Sequence, residues 1–307
     1  MQADDSIRQP ADPARRHALG ALGSLGVIAL AGCGGGGSDS SSASLLGTSA
    51  AAAAASTTTT AAATGTSSGT SSGTSTTTTT TTTSSSSSSC PATPTETAGP
   101  YPADGSTASN QKLNALVLSG IVRSDIRTSV GSASAVAPGV QMTITLTLVN
   151  TKNSCAPLEG YAVYLWHCTR DGNYSMYSTG VTAENFLRGI QVSDSSGKVT
   201  FTTIFPGCYS GRWPHVHFEV YPNLTAATDS SAVSDYALVT QLAMPAAACT
   251  QVYGVVSGYE ASVGNFANAT LASDNVFGND SAALQLATVS GSVANGFTTA
   301  LQVGVAV

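Results

Sequence analysis

Two of the four histidines in this 307-residue sequence, His215 and His217, stand one valine apart in the stretch GRWPHVHFEV. In an extended segment, residues i and i+2 point to the same face, so both imidazoles leave the strand on one side. Two adjacent imidazoles repel each other when protonated, and buried ring nitrogens need partners. The pair is therefore either two separately hydrogen-bonded histidines or two ligands of one metal ion, and HVH alone does not separate these. Arg212 lies three places upstream and carries a permanent charge on a planar fork of donors, with no lone pair to offer a metal. Tyr209 sits on the turn feeding the same segment, and Tyr174 follows the turn signal Asp171-Gly172. Each tyrosine taken singly could equally be an ordinary aromatic at a sheet edge.

The elements that must hold these residues read as strands. VQMTITLTLV (140–149) alternates apolar and polar with period two, and GYAVYLWHC (160–168) is an unbroken apolar-aromatic run suited to burial on both faces. KVTFTTIF (198–205) runs into Pro206-Gly207, and HVHFEVYP (215–222) follows at once. Leu116–Val122 is a further strand candidate, and strands are expected after both Asp171-Gly172 and Ser195-Ser196-Gly197. Beyond 222 the pattern loosens, with one short helix expected between Tyr259 and Leu271. Regular strands separated by turns predict an all-β domain, a β-sandwich of immunoglobulin or transthyretin type.

The motifs that join these elements resemble the intradiol ring-cleavage dioxygenases, the catechol and protocatechuate dioxygenase family. The resemblance runs over roughly residues 90–222. Trp166, Gly172, Tyr174 and Ser175 match one motif of that family. Thr203, Ile204, Pro206, Gly207 and Tyr209 match a second, and Arg212, His215, His217 and Phe218 a third. RGIQVSDSSGKVTFTTI (188–204) and TAGPYP (97–102) are similar as well. Membership implies Fe(III) held by Tyr174, Tyr209, His215 and His217, a donor set of hard phenolates and neutral imidazoles that suits ferric iron over zinc or copper(I). It implies that Tyr209 is the ligand released when substrate binds, and that Arg212 stabilises charge on the activated substrate. Tyr101, in the GPYP turn, would line the substrate cleft. The implied reaction is O2-dependent cleavage of a small aromatic diol between its hydroxylated carbons, to a muconate-type diacid. Only Ser210–Pro214 separate Tyr209 from His215, shorter than in many relatives, and a helical dimerisation region is missing from the N-terminal side. A sandwich that captures catechols, ferric catecholates or carbohydrate without turnover is the contrasting reading. Tyrosinate-to-iron colour and oxygen uptake discriminate between the two.

Several neighbouring residues have plainer explanations. His167, in the apolar run beside Trp166, reads as a hydrogen-bonded core residue. Glu219 shares a face with His217 and reads as a solvated strand end. Trp213 either walls the pocket or covers a sandwich edge.

Ahead of this domain the composition changes. Arg15-Arg16 precede an apolar run (18–31) that closes on Leu30-Ala31-Gly32-Cys33, a segment similar to a lipoprotein signal cleaved before an acylated Cys33. The arginine pair is also similar to a twin-arginine export signal. Residues 34–89 are almost wholly Gly, Ser, Thr and Ala, a composition that cannot bury enough apolar surface to order itself and reads as a disordered tether. The expected organisation is a signal segment (1–33), a linker (34–89) and one domain (90–307), exported and lipid-anchored to the cell envelope. Net charge is −6 with no basic stripe, which argues against nucleic acid. Five cysteines remain after Cys33, namely Cys90, Cys155, Cys168, Cys208 and Cys249. None has the paired spacing of a zinc site, and the odd count predicts at most two bridges and a single free thiol.

Overall fold

Strand β1 (Gln141–Asn150) alternates buried and open positions along its length, as its period-two sequence demands. It is flanked by β2 (Ala156–Pro157), by β5 (Lys198–Ile204) antiparallel, and by β9 (Gly296–Val305) parallel, while β8 (Thr288–Ser292) extends β9. The second sheet has the order β4 (Arg188–Val192), β3 (Ala162–Trp166), β6 (His215–Tyr221) and β7 (Leu238–Ala243), antiparallel throughout. Met142, Ile144, Leu146 and Phe201 from the first sheet meet Val163, Leu165, Val216 and Phe218 from the second in one core. This is the all-β sandwich that the sequence predicts. The computed structural model describes residues 90–109, 111–229 and 235–307. The signal segment, Cys33 and the linker lie outside the described residues, among which no helix is long and apolar enough to cross a membrane.

Several expectations are corrected. Leu116–Val122 is not a strand. It is a run of turns, with Leu118 N–H donating to Ala115 O and Ile121 N–H to Leu118 O, that still buries Leu116 and Ile121 against the outside of the second sheet. No strand follows Asp171-Gly172 directly; a turn-rich loop leads instead to β4. The stretch beyond 222 is more ordered than its pattern suggests. It supplies a short helix α1 (Leu224–Thr228), β7, a helix α2 (Ala246–Tyr253) and β9 beside β1, as well as the expected short helix α3 (Glu260–Ala267). Cys90 and Cys155 form a disulfide, while Cys168, Cys208 and Cys249 are three buried free thiols rather than one. Burial pushes the Cys168 and Cys208 thiols up to about 12, so neither is a ready nucleophile.

A strap, residues 90–104, lies over the outer face of the second sheet. The disulfide pins its start to the β1–β2 turn, and Thr93 N–H donates to Gly304 O. Further along, Glu96 N–H donates to Val239 O, and the Gln241 amide donates to Thr97 O at 2.8 Å. At its far end Tyr164 Oη and the Arg188 guanidinium both donate to Pro102 O. Strand β6 is in consequence buried at all seven positions, on both faces.

Candidate metal centre

Beneath the strap, the outer face of the second sheet carries His215 and His217 from β6, opposite Ala243 and Gln241 of β7. Trp166 pairs with His217 from β3, and the two rings stack at 5.0 Å with planes 5° apart. Gly99 of the strap has a φ of +69°, and a Cβ there would come within 3.4 Å of His217 Cε1. The left-handed backbone is what favours glycine here, and it brings the strap into contact with the imidazole.

Tyr174 and Tyr209 reach the same point from two loops. After β3, the chain turns through Thr169–Asn173, where Thr169 N–H donates to Asn173 O and Asn173 N–H to the Thr169 hydroxyl. Gly172 occupies a left-handed conformation (φ +82°), and a Cβ on it would stand 3.1 Å from Tyr209 Cβ. The Tyr209 loop is braced from α3, with the Ser262 hydroxyl accepting from Cys208 N–H and the Asn265 amide donating to Cys208 O.

Four donor atoms converge. The hydroxyl oxygens of Tyr174 and Tyr209 are 3.4 Å apart, Tyr209 Oη lies 3.0 Å from His215 Nε2, and the two Nε2 atoms are 3.1 Å apart. Metal–nitrogen bonds of about 2.1 Å put neighbouring ligands about 3 Å apart, so this spacing is that of one shared coordination sphere. His215 Nδ1 lies 2.5 Å from the Trp213 carbonyl, which places the proton there and leaves the Nε2 lone pair facing inward. Burial, with the charge of Arg212, pushes His215 down to about 3; burial, with the charges of His215 and Arg212, holds His217 well below its ordinary value. Both are thus neutral, as ligands must be. Burial raises both phenols, Tyr209 to about 12 and Tyr174, with Tyr209 beside it, well above its ordinary value. Phenols this reluctant to ionise would become phenolates only beside a strongly charged cation, which matches a hard ferric ion. Among the described residues no group of three or more His, Cys, Asp and Glu could hold a metal, so a four-donor set exists here only with the tyrosines counted.

Arg212 stands beside the cluster, its NH1 3.5 Å from His215 Nε2. Tyr101 stacks near Tyr174, with ring centroids 4.9 Å apart, and so flanks the donor set from the strap. His167 is a core residue as expected, Nδ1 on the Cys168 carbonyl and Nε2 on the Thr203 hydroxyl, both at 2.7 Å. Trp213 covers the sandwich edge, donating from its ring nitrogen to Met244 O and packing on Phe266. Glu219 is corrected: it is fully buried rather than solvated and accepts from Tyr221 Oη at 2.8 Å, and burial, with the neighbouring charge of Asp104, pushes its carboxyl well above the usual carboxylate range.

Three polar residues at the site were missed from sequence. Gln241 accepts from Arg212 NH2 at 2.6 Å, and a lone Gln in the apolar run LVTQLA was its available signal. Arg188 is almost fully buried and donates to the carbonyls of Tyr101, Pro102 and Ser175 and to the Ser175 hydroxyl, tying the strap to the Tyr174 loop. An arginine opening the strand RGIQV was its signal. Asp274 has no local signal at all. A groove of about 440 Å³ bounded by Pro91, Thr147 and Gln302 contains no titratable side chain and none of these residues.

Fold and site together define a β-sandwich with a Tyr/Tyr/His/His donor cluster on the covered face of its second sheet. Residues 123–229 match the family model Dioxygenase_C, described as Dioxygenase. The fold is that of the intradiol ring-cleavage dioxygenases. The enzyme of that name from Tetranychus urticae superposes with a TM-score of 0.53 at 22% identity, over 71% of this chain and 95% of that one. The dioxygenase domain of a dioxygenase–carbohydrate-binding protein fusion from Streptomyces sp. SirexAA-E aligns with a TM-score of 0.44 at 22% identity, over 71% of this chain and 99% of that one. In sequence, 72 residues are 35% identical to chlorocatechol 1,2-dioxygenase from Rhodococcus opacus, 24% of this chain and 27% of that enzyme. The chain thus spans about a quarter of the length of that curated relative.

Proposed function

We propose that the domain is a non-haem Fe(III) intradiol dioxygenase that cleaves a catechol-type diol with O2 to a muconate-type diacid. The carrying observation is the convergence of Tyr174, Tyr209, His215 and His217 at 3.0–3.4 Å beneath the strap. Fe(III), which these four side chains would hold, would supply the Lewis acidity and redox chemistry that make a bound diol reactive toward O2. The two tyrosines are not equivalent. Tyr174 is 2% exposed and packed between Tyr101 and Tyr209, whereas Tyr209 is only partly buried. Tyr209 is therefore the ligand that yields its place, and with its phenol pushed up to about 12 the displaced oxygen takes the proton that the diol gives up. Arg212 directs NH1 at the centre and stabilises the negative charge that grows on the substrate. The strap, with Gly99 on His217 and Tyr101 on Tyr174, limits water at the reacting face.

The test is anaerobic loading of purified protein with ferric iron, followed by catechol and then oxygen. A burgundy tyrosinate band that shifts with catechol, and uptake of one O2 per muconate released, are expected. A colourless protein removes the metal reading; colour and a catechol shift without oxygen uptake reduce the domain to a capture module.

Residues 1–33 are read as a lipoprotein signal that exports the chain and anchors it through acylated Cys33, with residues 34–89 as the tether. Cys33→Ser should move the protein from the membrane to the soluble fraction while its iron content per domain stays the same. Unchanged membrane fractionation would sink the anchor.

A further inference from the structure

Arg212 has its donors committed in three directions. NH1 faces the centre, NH2 donates to Gln241, and Nε donates to Asp274 Oδ2 at 2.9 Å. Asp274 lies 62 residues away, between two short 3₁₀ turns (Leu271–Ser273 and Phe277–Asn279), and its side chain is wholly inaccessible. The same Oδ2 accepts the Trp213 N–H at 2.7 Å, while Oδ1 accepts the amides of Val276 and Phe277 at 2.8 and 3.0 Å. Burial works against this charge, yet the bonds from Arg212 and the three amides hold the carboxyl below its ordinary range.

One oxygen therefore grips both the base of the guanidinium and the backbone of the next residue. With Nε bonded to Asp274 and NH2 to Gln241, two donors of the rigid planar fork are held at once, which fixes its plane. The other oxygen holds Phe277, whose buried ring lies 5.9 Å below the Arg212 carbon and 6.4 Å from the His215 ring. With Nε and NH2 both taken on the far side, NH1 is left facing His215 Nε2 and the donor cluster.

We propose that Asp274 is the positioning residue that sets the plane of Arg212 toward the candidate metal centre. The catalytic consequence rests on the role given to Arg212 above; the geometric one does not. In the metal-free protein, Arg212 should give a slowly exchanging Nε–H signal in NMR, identified by its loss in Arg212→Met. Asp274→Asn should shift it or bring it into rapid exchange, and an unmoved signal overturns the proposal. In the iron-loaded protein Asp274→Asn should lower kcat about 10- to 100-fold, the range for groups that orient active-site residues, with KM little changed. It should lower nothing further when added to Arg212→Met. A full, multiplicative loss in that double variant would mean that Asp274 acts through general structure, and would overturn the proposal. Should Asp274→Asn fold poorly, Arg212→Lys serves instead, because lysine keeps the charge but has no Nε–H. Turnover as low as in Arg212→Met is then expected, and wild-type turnover in Arg212→Lys overturns the assignment. Full turnover in Arg212→Met is a separate failure, that of the Arg212 role itself.

Discussion

The two sheets are built by the same alternation and end up with opposite outer faces. On the first, Thr143, Thr145 and Thr147 of β1 share a water-facing surface with Thr200 and Thr202 of β5 and Thr298, Ala300 and Gln302 of β9. Their hydroxyls are hydrated or bond locally, as Thr145 and Thr200 do at 3.1 Å. On the second, the strap and the Tyr174 loop cover β6, so imidazoles that water would otherwise solvate are forced neutral and must find partners inside. Placing polar residues on one face of a strand is easy. Covering that face makes them chemically active, because desolvation removes the cheap alternative to ligation.

The contrast breaks most sharply at the covered face. His217→Ala removes one of four donors and the ring that stacks on Trp166. Ferric content, tyrosinate colour and turnover should all fall to background; iron content like wild type would exclude His217 from the centre.

The cover itself depends on Arg188. Arg188→Met leaves the carbonyls of Tyr101 and Ser175 without this donor, while Pro102 O keeps only the Tyr164 hydroxyl. At about 1–3 kcal/mol for each buried acceptor left unpaired, denaturant unfolding of the metal-free protein should show a loss of about 2 kcal/mol or more. Wild-type stability would mean the strap is held by something else.

A third test uses acid. Burial pushes His167 down to about 4, against about 6.5 in an unfolded chain. Folded protein thus keeps His167 neutral while unfolded protein takes up a proton below pH 6.5. Its contribution is complete above that pH and is lost as pH falls through the window from 6.5 to 4, at up to about 1.4 kcal/mol per pH unit. His215 adds a loss of the same sign that continues to about pH 3. The stability gap between wild type and His167→Gln should therefore narrow on going from pH 7 to pH 4.5. A gap independent of pH would contradict a buried neutral imidazole.

The smallest effect belongs to the open face. Thr145→Val removes a hydroxyl that water can replace on both sides of its bond to Thr200. Unfolding stability should move by less than about 0.5 kcal/mol, the ordinary range for surface positions. A loss above 1 kcal/mol would show that the outer threonines are more than a solvated surface.

What was legible in the residues follows from short-range rules. Period two put His215 and His217 on one side of β6 and their neighbours Val216 and Phe218 in the core. The strands β1, β3, β5 and β6 came out near their observed limits, since each is defined by its own alternation or apolar run. The turn residues Gly172 and Gly207 marked the loops that bring Tyr174 and Tyr209 inward. Misreadings fell where long-range contacts decide. Leu116–Val122 has the apolar content of a strand but meets a partner edge only at its end, where Val122 bridges Ile190 of β4, and β9 has a weak pattern yet is held on both sides by β1 and β8. Glu219 looked solvated because nothing within the strand indicates that residues more than a hundred positions upstream will lie over it. Arg188, Gln241 and Asp274 belong to the same class. Side-chain direction along a strand is a local property of the backbone, legible in a few residues. Whether that side meets water or another segment, and which carboxylate grips which guanidinium, depends on how distant chain segments pack, and only the tertiary structure decides it.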